Sequence, residues 1–191
     1  MDPLLTQTDE DLAKMVQAGD IERFGELVER YEKKLLRYGR KFLSNSNNLE
    51  DIVQEVFLKA YRNIQGFDAS KKFSSWIYRI AHNEFINELK KSSRTQLSFL
   101  EPDLLALHAS PENIHSDLEK REVNAMLEKT IGSLEQKYKE VLILYYQEDF
   151  SYKQIADILK IPIPTVGIRL SRGKQKLREQ YNKFDSKHGP T

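Results

Sequence analysis

Apolar side chains recur at helical spacing along most of this chain, and no strand-like alternation of useful length appears anywhere. Thr8, with Asp11 three residues on, predicts the cap of a first helix ending at Gly19, and Asp20 predicts the cap of a second. On that second helix Phe24, Val28, Tyr31, Leu35, Tyr38 and Phe42 alternate four and three apart, running through Gly25 and Gly39. Ser44-Asn45-Ser46-Asn47-Asn48 predicts a loop. A third helix is expected from about Leu49 to Ile64, burying Ile52, Val53, Val56, Phe57 and Ala60. Gly66 to Lys72 predicts another loop, followed by a long helix from about Phe73 to Lys91. Periodicity fails from Ser92 to about Asp117, where Pro102, Pro111 and five serines predict a linker. It returns at Leu118, with Leu127, Ile131, Leu134, Tyr138, Val141 and Tyr145 on one stripe.

The segment Ser151 to Arg178 carries the most specific pattern. Ser151 and Gln154 form a capping box, each able to satisfy an orphan backbone N–H at a helix start. Ile155, Ala156 and Leu159 give a short helix an apolar side, and Lys160-Ile161-Pro162-Ile163-Pro164 predicts the turn, because a proline disfavours helix at the residue before it. A second helix is expected from about Thr165. Val166, Leu170, Gly173 and Leu177 form its buried stripe, while Thr165, Ile168, Arg169, Arg172 and Lys176 lie opposite. A short helix crossing a longer one with a cationic outer face is the geometry that enters a DNA major groove. A solvated helical hairpin is the blander reading of the same pattern. The expected fold is all-α: a helical bundle over residues 1–94, a linker over 95–118, a helix-turn-helix domain over 119–181 and a tail over 182–191.

Charge changes this picture more than composition does. The net charge of +1 conceals a balance of −5 over residues 1–30, +4 over 71–94 and +5 over 163–187. Two basic patches on a neutral chain point to a polyanion gripped at two places, although a solvated face would explain either patch alone. There are no cysteines, so neither a disulfide framework nor a thiolate metal site exists, which suits a reducing cytosol. No apolar run approaches the roughly 18 residues of a membrane span, and Met1-Asp2-Pro3 does not begin a signal peptide. His82, His108, His115 and His188 make no metal-ligand spacing, and no phosphate loop or nucleophile elbow is present, so an enzyme is not expected and no cofactor or metal is called for. His82 is expected on the helix surface or half-buried.

Two further constellations lie in the amino-terminal part. Residues 73–87 interleave Trp76, Tyr78, Arg79, Asn83, Phe85 and Asn87 beside Lys71, Lys72, Lys90, Lys91 and Arg94. Aromatic faces can stack on unpaired bases while cations follow phosphates, and an amide such as Asn83 or Asn87 can bond a base edge. Trp76, Ile77, Ile80 and Ala81 suit a core better than a base platform. On the helix at 51–61, Asp51, Gln54, Glu55, Leu58 and Lys59 lie opposite the buried stripe. Acids in the first turn favour the helix dipole, and an apolar Leu58 among charges hints at a docking surface for a partner helix.

Taken together, Asp51-Ile-Val-Gln54-Glu55-Val-Phe57-Leu-Lys-Ala-Tyr61, Phe73-Ser-Ser-Trp76-Ile-Tyr78-Arg79-Ile-Ala-His82-Asn83 and Ser151-Tyr-Lys-Gln-Ile155-Ala through Thr165-Val resemble the blocks of extracytoplasmic-function (ECF) bacterial sigma factors, in order and spacing, over about residues 9–181. The resemblance implies a two-domain initiation factor that binds core RNA polymerase, melts the minus-ten promoter element with its amino-terminal domain and reads the minus-thirty-five element with its carboxy-terminal domain. Opening would be isothermal, so no catalytic residue is needed. On this resemblance Asp51, Gln54, Glu55 and Leu58 would meet the beta-prime clamp helices, and the beta flap would be a second polymerase contact. The loop Gly66–Ser75 with Phe67, together with Asn83 and Asn87, would hold a flipped non-template base, and Lys71, Lys72, Arg79, Lys90 and Lys91 would complete the minus-ten surface. Thr165, Ile168, Arg169, Ser171, Arg172 and Lys176 would face the minus-thirty-five duplex.

The same resemblance implies a linker that threads toward the polymerase active cleft, in keeping with Glu101, Asp103, Glu112 and Asp117 against Arg94 alone over 92–118. It also implies a separate anti-sigma protein, since the tail after Tyr181 is too short for a fused regulatory domain, and no direct insertion into a membrane. Two departures bear on specificity. Many members carry a basic residue where Gly167 stands and a small hydroxyl residue where Ile168 stands. Gly167 permits close backbone approach to phosphate, and Ile168 could touch a thymine methyl but cannot donate a hydrogen bond. A stand-alone helix-turn-helix regulator would explain residues 151–178 equally well, but not the amino-terminal blocks.

Overall fold

The helices that start at Asp9 and Tyr152 each begin where a hydroxyl supplies an acceptor for an orphan amide. The computed structural model describes residues 7–43, 48–98 and 134–188. In α1 (Asp9–Gln17) the Thr8 hydroxyl accepts the Asp11 N–H, and Asp9, Glu10 and Asp11 load the first turn with negative charge at the positive end of the helix dipole. Leu12, Ala13 and Val16 are buried, and the chain leaves through Gly19, whose φ of +105° falls where an L side chain is strained. The second helix, α2 (Arg23–Arg40), is not capped by Asp20 as expected. Its entry is a tight turn in which Arg23, Phe24 and Gly25 each donate to the carbonyl three residues back, and the Asp20 carboxylate pairs with Arg23 Nε at 3.3 Å.

Next come α3 (Leu49–Asn63), a single 3-10 turn (Ile64–Gly66) and α4 (Phe73–Ser98). Of the expected loop 44–48 only Asn48 lies among the described residues. The buried face of α3 is as expected except that Ile52 is half-exposed. Helix α4 runs on past Lys91, because neither glycine nor proline interrupts it there; loss of apolar period ends packing before it ends a helix. The rest of the expected linker lies outside the described residues, as do Leu118, Leu127 and Ile131.

Helix α2 packs against α1, α3 and α4. Its buried stripe is Leu27, Tyr31, Leu35, Tyr38 and Gly39, followed by Phe42, whereas Phe24 and Val28 sit half-exposed at its edge. Tyr38 is the centre of the bundle. Its ring lies 5.0 Å from Phe42, 5.2 Å from Tyr78 and 5.9 Å from Phe85, and its hydroxyl is 2.8 Å from His82 Nδ1. His82 is therefore a buried residue, contrary to expectation: it stands four residues beyond Tyr78 on the stripe that faces α2. Gly39 permits the approach. A Cβ there would stand 2.6 Å from Leu49 Cδ1 and 2.9 Å from Phe85 Cζ. On the other side of α2, Tyr31 Oη donates to Asp9 Oδ2 at 2.5 Å and Arg30 donates to Asp9 Oδ1 at 2.7 Å, which ties α1 down. Burial and the Asp9 carboxylate push the Tyr31 phenol above its ordinary range.

The chain divides into two compact units, with α1 to α4 in the first and α5 (Gln136–Tyr146), most of α6 (Tyr152–Leu159) and α7 (Ile163–His188) in the second. No strand occurs among the described residues. Helix α5 is polar in its first turn apart from Tyr138 and apolar on every side from Val141 on: Tyr138, Val141, Leu142, Ile143 and Leu144 are buried, but Tyr145, expected on the stripe, is exposed. It packs against α7, where a Cβ on Gly173 would stand 3.0 Å from Leu142 Cδ1. The Ser151–Gln154 capping box opens α6, on which Ile155 and Ile158 are buried while Ala156 and Leu159 are only half-buried. Lys160 ends it in the left-handed conformation. Helix α7 then starts at Ile163, earlier than expected, with Pro164 inside its first turn, where a missing N–H leaves no helical bond unmade. Val166, Leu170 and Gly173 are buried as expected, and Leu177 is half-buried.

Burial holds His82 well below its ordinary value of 6.5, at about 4. The unfolded chain takes up this proton first as pH falls, so the stabilisation is present above the unfolded pKa and is lost between it and the folded one. Wild-type protein should lose about 2–3 kcal/mol relative to His82→Gln between neutral pH and about pH 4.5. Denaturant unfolding of both proteins at the two pH values checks it, and parallel loss in both would contradict it.

Candidate polymerase and nucleic-acid interfaces

Three outward faces carry the residues singled out from the sequence. On α3, Asp51, Gln54 and Leu58 are exposed and Glu55 is half-buried, all at spacings that share one side of the helix. Leu58 is 49% exposed, an apolar group open to solvent in a polar setting. Lys59 holds this face in place: its Nζ lies 3.9 Å from Glu55 one turn away and 2.6 Å from Glu84 on α4. Glu84 carries no sequence signal for this role, because its partner is 25 residues distant.

On α4 the same stripe that buries Phe73, Ile77, Tyr78, Ala81, His82 and Phe85 forces their neighbours outward. Asn83, Asn87 and Lys90 are exposed at spacings of four and three, with Ile80 and Trp76 half-exposed one and two turns back. Arg79 is half-exposed, and Lys91 is exposed with Nζ 3.8 Å from Glu88. Lys71 and Lys72 are exposed on the preceding loop.

Phe67 does not stand on that surface. Its ring is 5% exposed, 5.5 Å from Phe73 and 5.2 Å from Trp76, so it belongs to the core beneath the loop, and Trp76 forms the half-open rim of the same cluster. The loop is instead held by polar contacts. Asp68 Oδ1 accepts the Ser70 amide and hydroxyl, which keep the Asp68 carboxyl below the usual carboxylate range, the hydroxyl contributing most. Two α1 side chains reach its ends. Gln17 Nε2 donates to the carbonyls of Ile64 at 2.7 Å and Phe67 at 2.8 Å, and Glu10 Oε1 accepts the Phe73 N–H at 2.9 Å. Neither was legible in the sequence, since the partners are 47 to 63 residues away.

On α7, Ile168, Ser171 and Arg172 are exposed, while Thr165 and Arg169 are half-exposed on the same side. Lys176 is drawn back toward α5: its Nζ is 3.3 Å from Glu135 and 5.5 Å from the centre of the Tyr138 ring. Lys137 and Lys176 together hold the Glu135 carboxyl below its ordinary range, Lys137 contributing more. A Cβ on Gly167 would meet only Tyr152, at an ordinary 3.5 Å, so packing does not require glycine there.

Comparison with known proteins identifies the family. The family model for Sigma-70 region 2 matches residues 27–95, and that for Sigma-70 region 4 matches residues 124–177. The ECF RNA polymerase sigma factor SigW of Bacillus subtilis is 34% identical over 177 residues, which cover 87% of this chain and 93% of that protein. The ECF RNA polymerase sigma-E factor of Haemophilus influenzae is 33% identical, over 91% of this chain and 95% of its own. Among solved structures, CnrH in complex with the cytosolic domain of CnrY has a TM-score of 0.68 at 24% identity, covering 93% of this chain and 99% of that one. The sigma factor RpoE of Bartonella quintana in complex with the anti-sigma factor NepR has a TM-score of 0.66 at 24% identity, covering 83% and 96%. These two share the fold. With both region models and relatives above 30% identity spanning nearly the whole length, the chain belongs to the ECF RNA polymerase sigma factors.

Proposed function

We propose that the three outward faces divide the work of promoter-specific initiation among α3, the α3–α4 loop with α4, and α7. As an ECF sigma factor the chain binds core RNA polymerase and directs initiation at promoter DNA. The observation that carries the division is on α4: Asn83 and Asn87 point outward from a helix whose adjacent positions are locked into an aromatic core, so two base-reading amides stand on a rigid support. The face Asp51, Gln54, Glu55 and Leu58 docks on the clamp helices of the largest polymerase subunit, its apolar Leu58 ringed by polar groups as in a docking patch. The beta flap is the second polymerase contact.

The exposed loop residues Asp68, Ser70, Lys71 and Lys72, with Asn83 and Asn87, take the flipped minus-ten base, and Phe67 serves as the buried floor under them rather than as a stacking platform. Unstacking a base costs a few kcal/mol, which edge contacts return. Arg79, Lys71, Lys72, Lys90 and Lys91 follow the phosphates. On α7, Arg169 and Arg172 reach base edges of the minus-thirty-five duplex with Thr165, Ile168 and Ser171 beside them, and Lys176 reaches phosphate once it leaves Glu135. The chemistry is binding and deformation of DNA, so no residue acts as a catalyst. Because each of the two solved relatives is bound to a partner, and one partner is an anti-sigma factor, a separate anti-sigma protein belongs among this chain's partners. Among the described residues no helix is long and apolar enough to cross a membrane, which fits a cytoplasmic place of work. A stand-alone regulator would need only the second unit and leaves the region 2 match without a purpose.

Changing Gln54 and Glu55 to Lys should abolish co-purification with core polymerase while stability falls by no more than about 1 kcal/mol, the cost of replacing the Glu55–Lys59 pair by like charges one turn apart. Wild-type affinity of that variant would remove α3 from the interface. Asn83→Ala should keep core binding and slow promoter opening by roughly ten- to hundredfold, about 1–3 kcal/mol for a lost base-edge pair. Permanganate reactivity at the minus-ten thymines reads this, and unaltered opening would make Asn83 a plain surface amide.

In holoenzyme binding to a panel of minus-thirty-five duplexes, Arg172→Ala should cost about 1–3 kcal/mol on the preferred sequence and flatten preference at one or two positions. Gly167→Ala should stabilise α7 by about 1 kcal/mol yet weaken all duplexes alike, the mark of a backbone close to phosphate. Equal losses on every sequence for both variants would leave α7 gripping backbone only.

A further inference from the structure

The loop between α3 and α4 is clamped at both ends by one helix distant in sequence. Gln17 sits in the last turn of α1 and is half-buried. Its side-chain amide has two N–H groups, and both are used: one on the Ile64 carbonyl at 2.7 Å and one on the Phe67 carbonyl at 2.8 Å. Gln65 returns the contact by donating to the Gln17 carbonyl at 3.2 Å. Two turns earlier on α1, Glu10 accepts the N–H of Phe73, the first residue of α4, and so caps that helix from another element. Its second oxygen is 3.6 Å from Lys72 Nζ, although the Lys72 side chain is itself largely exposed. Docking of α1 does not require these polar contacts, because Leu12, Ala13 and Val16 already supply its buried face. What Gln17 and Glu10 hold is loop backbone, at its entry and at its exit.

Between the two anchors the described backbone has little remaining freedom. Phe67 is extended and its ring is locked against Phe73 and Trp76, and Asp68 closes a local turn onto Ser70. The exposed stretch Asp68–Lys72 is thus a short arch on fixed footings, and the footings are set by α1. We propose that Gln17 and Glu10 are positioning residues for base selection: by fixing both ends of this arch they set where its exposed groups stand, and hence which base at the opened minus-ten position is accepted. This rests on the reading that the arch contacts the flipped base. A preformed recognition loop discriminates by presenting its groups without first paying an ordering cost, so releasing a footing should flatten selectivity more than it weakens binding.

The test uses the full chain reconstituted with core polymerase and promoters that carry each of the four bases at the flipped position. Gln17→Met keeps the length and apolar packing of the side chain but donates nothing to Ile64 and Phe67. It should bind core polymerase within about twofold of wild type and lose about tenfold in the ratio of opening rates between the preferred and the worst base, the size expected for one or two hydrogen bonds. Glu10→Gln retains an acceptor for the Phe73 N–H and should discriminate like wild type, whereas Glu10→Ala should not; that rescue separates a backbone anchor from a merely charged surface group. A combined Asp68→Ala and Ser70→Ala variant reports on the arch itself. If the arch variant loses selectivity while Gln17→Met and Glu10→Ala keep it, the positioning role is overturned and the arch reading stands. If the arch variant keeps full selectivity, the reading and the proposal fall together.

Discussion

Everything in the amino-terminal unit depends on how closely α2 can approach α3 and α4, and Gly39 decides that distance. With no side chain there, Leu49 and Phe85 come nearer to the α2 backbone than any Cβ would permit. Tyr38, next to it, then meets Phe42, Tyr78, His82 and Phe85 in one aromatic cluster. Rings of this size bury large apolar areas and prefer tilted or edge-on contact, which fixes helix rotation as well as helix separation. The rotation of α4 also fixes its outer face. Once Tyr78, His82 and Phe85 are committed inward, Asn83 and Asn87 have no choice but to face solvent.

The second unit solves a similar problem with Gly173, which lets α7 lie against Leu142 in the apolar second half of α5. Here too the buried stripe dictates the outer one. Val166, Leu170 and Gly173 turn inward, and Ile168, Ser171 and Arg172 are left outside. The hold of Glu135 on Lys176 adds a restraint of another kind. A carboxylate at this exposed site is worth little to stability, but it is an anion that any phosphate approaching the lysine would have to displace.

Much of this was legible in the sequence because helical periodicity and caps are local. The Thr8 cap, the Ser151–Gln154 box, the buried positions of α3 and the inward stripe of α7 need only neighbours a few residues away. The misreadings share a physical cause. His82 looked like a surface residue because imidazole is polar, yet a neutral ring with the Tyr38 hydroxyl at one nitrogen is tolerated at the centre of a core. Asp20 had the right chemistry for a cap, but a tight turn moved the helix start two residues on. Phe67 was legible as aromatic and not as buried, since the rings that cover it come from the next helix. The anchors at Gln17 and Glu10 were illegible altogether: a lone glutamine and a lone glutamate on a short helix carry no spacing signal for partners so far along the chain.

The claim on which the rest turns is that two DNA-reading faces on one chain direct polymerase to a two-part promoter. Run-off transcription by purified core polymerase on a library of random upstream sequences, with and without the protein, tests it most directly. Starts should appear only when the protein is present, with two short sequence elements recurring upstream of them at a fixed separation. Protein-dependent starts sharing a single duplex element, or no protein-dependent start at all, would contradict it.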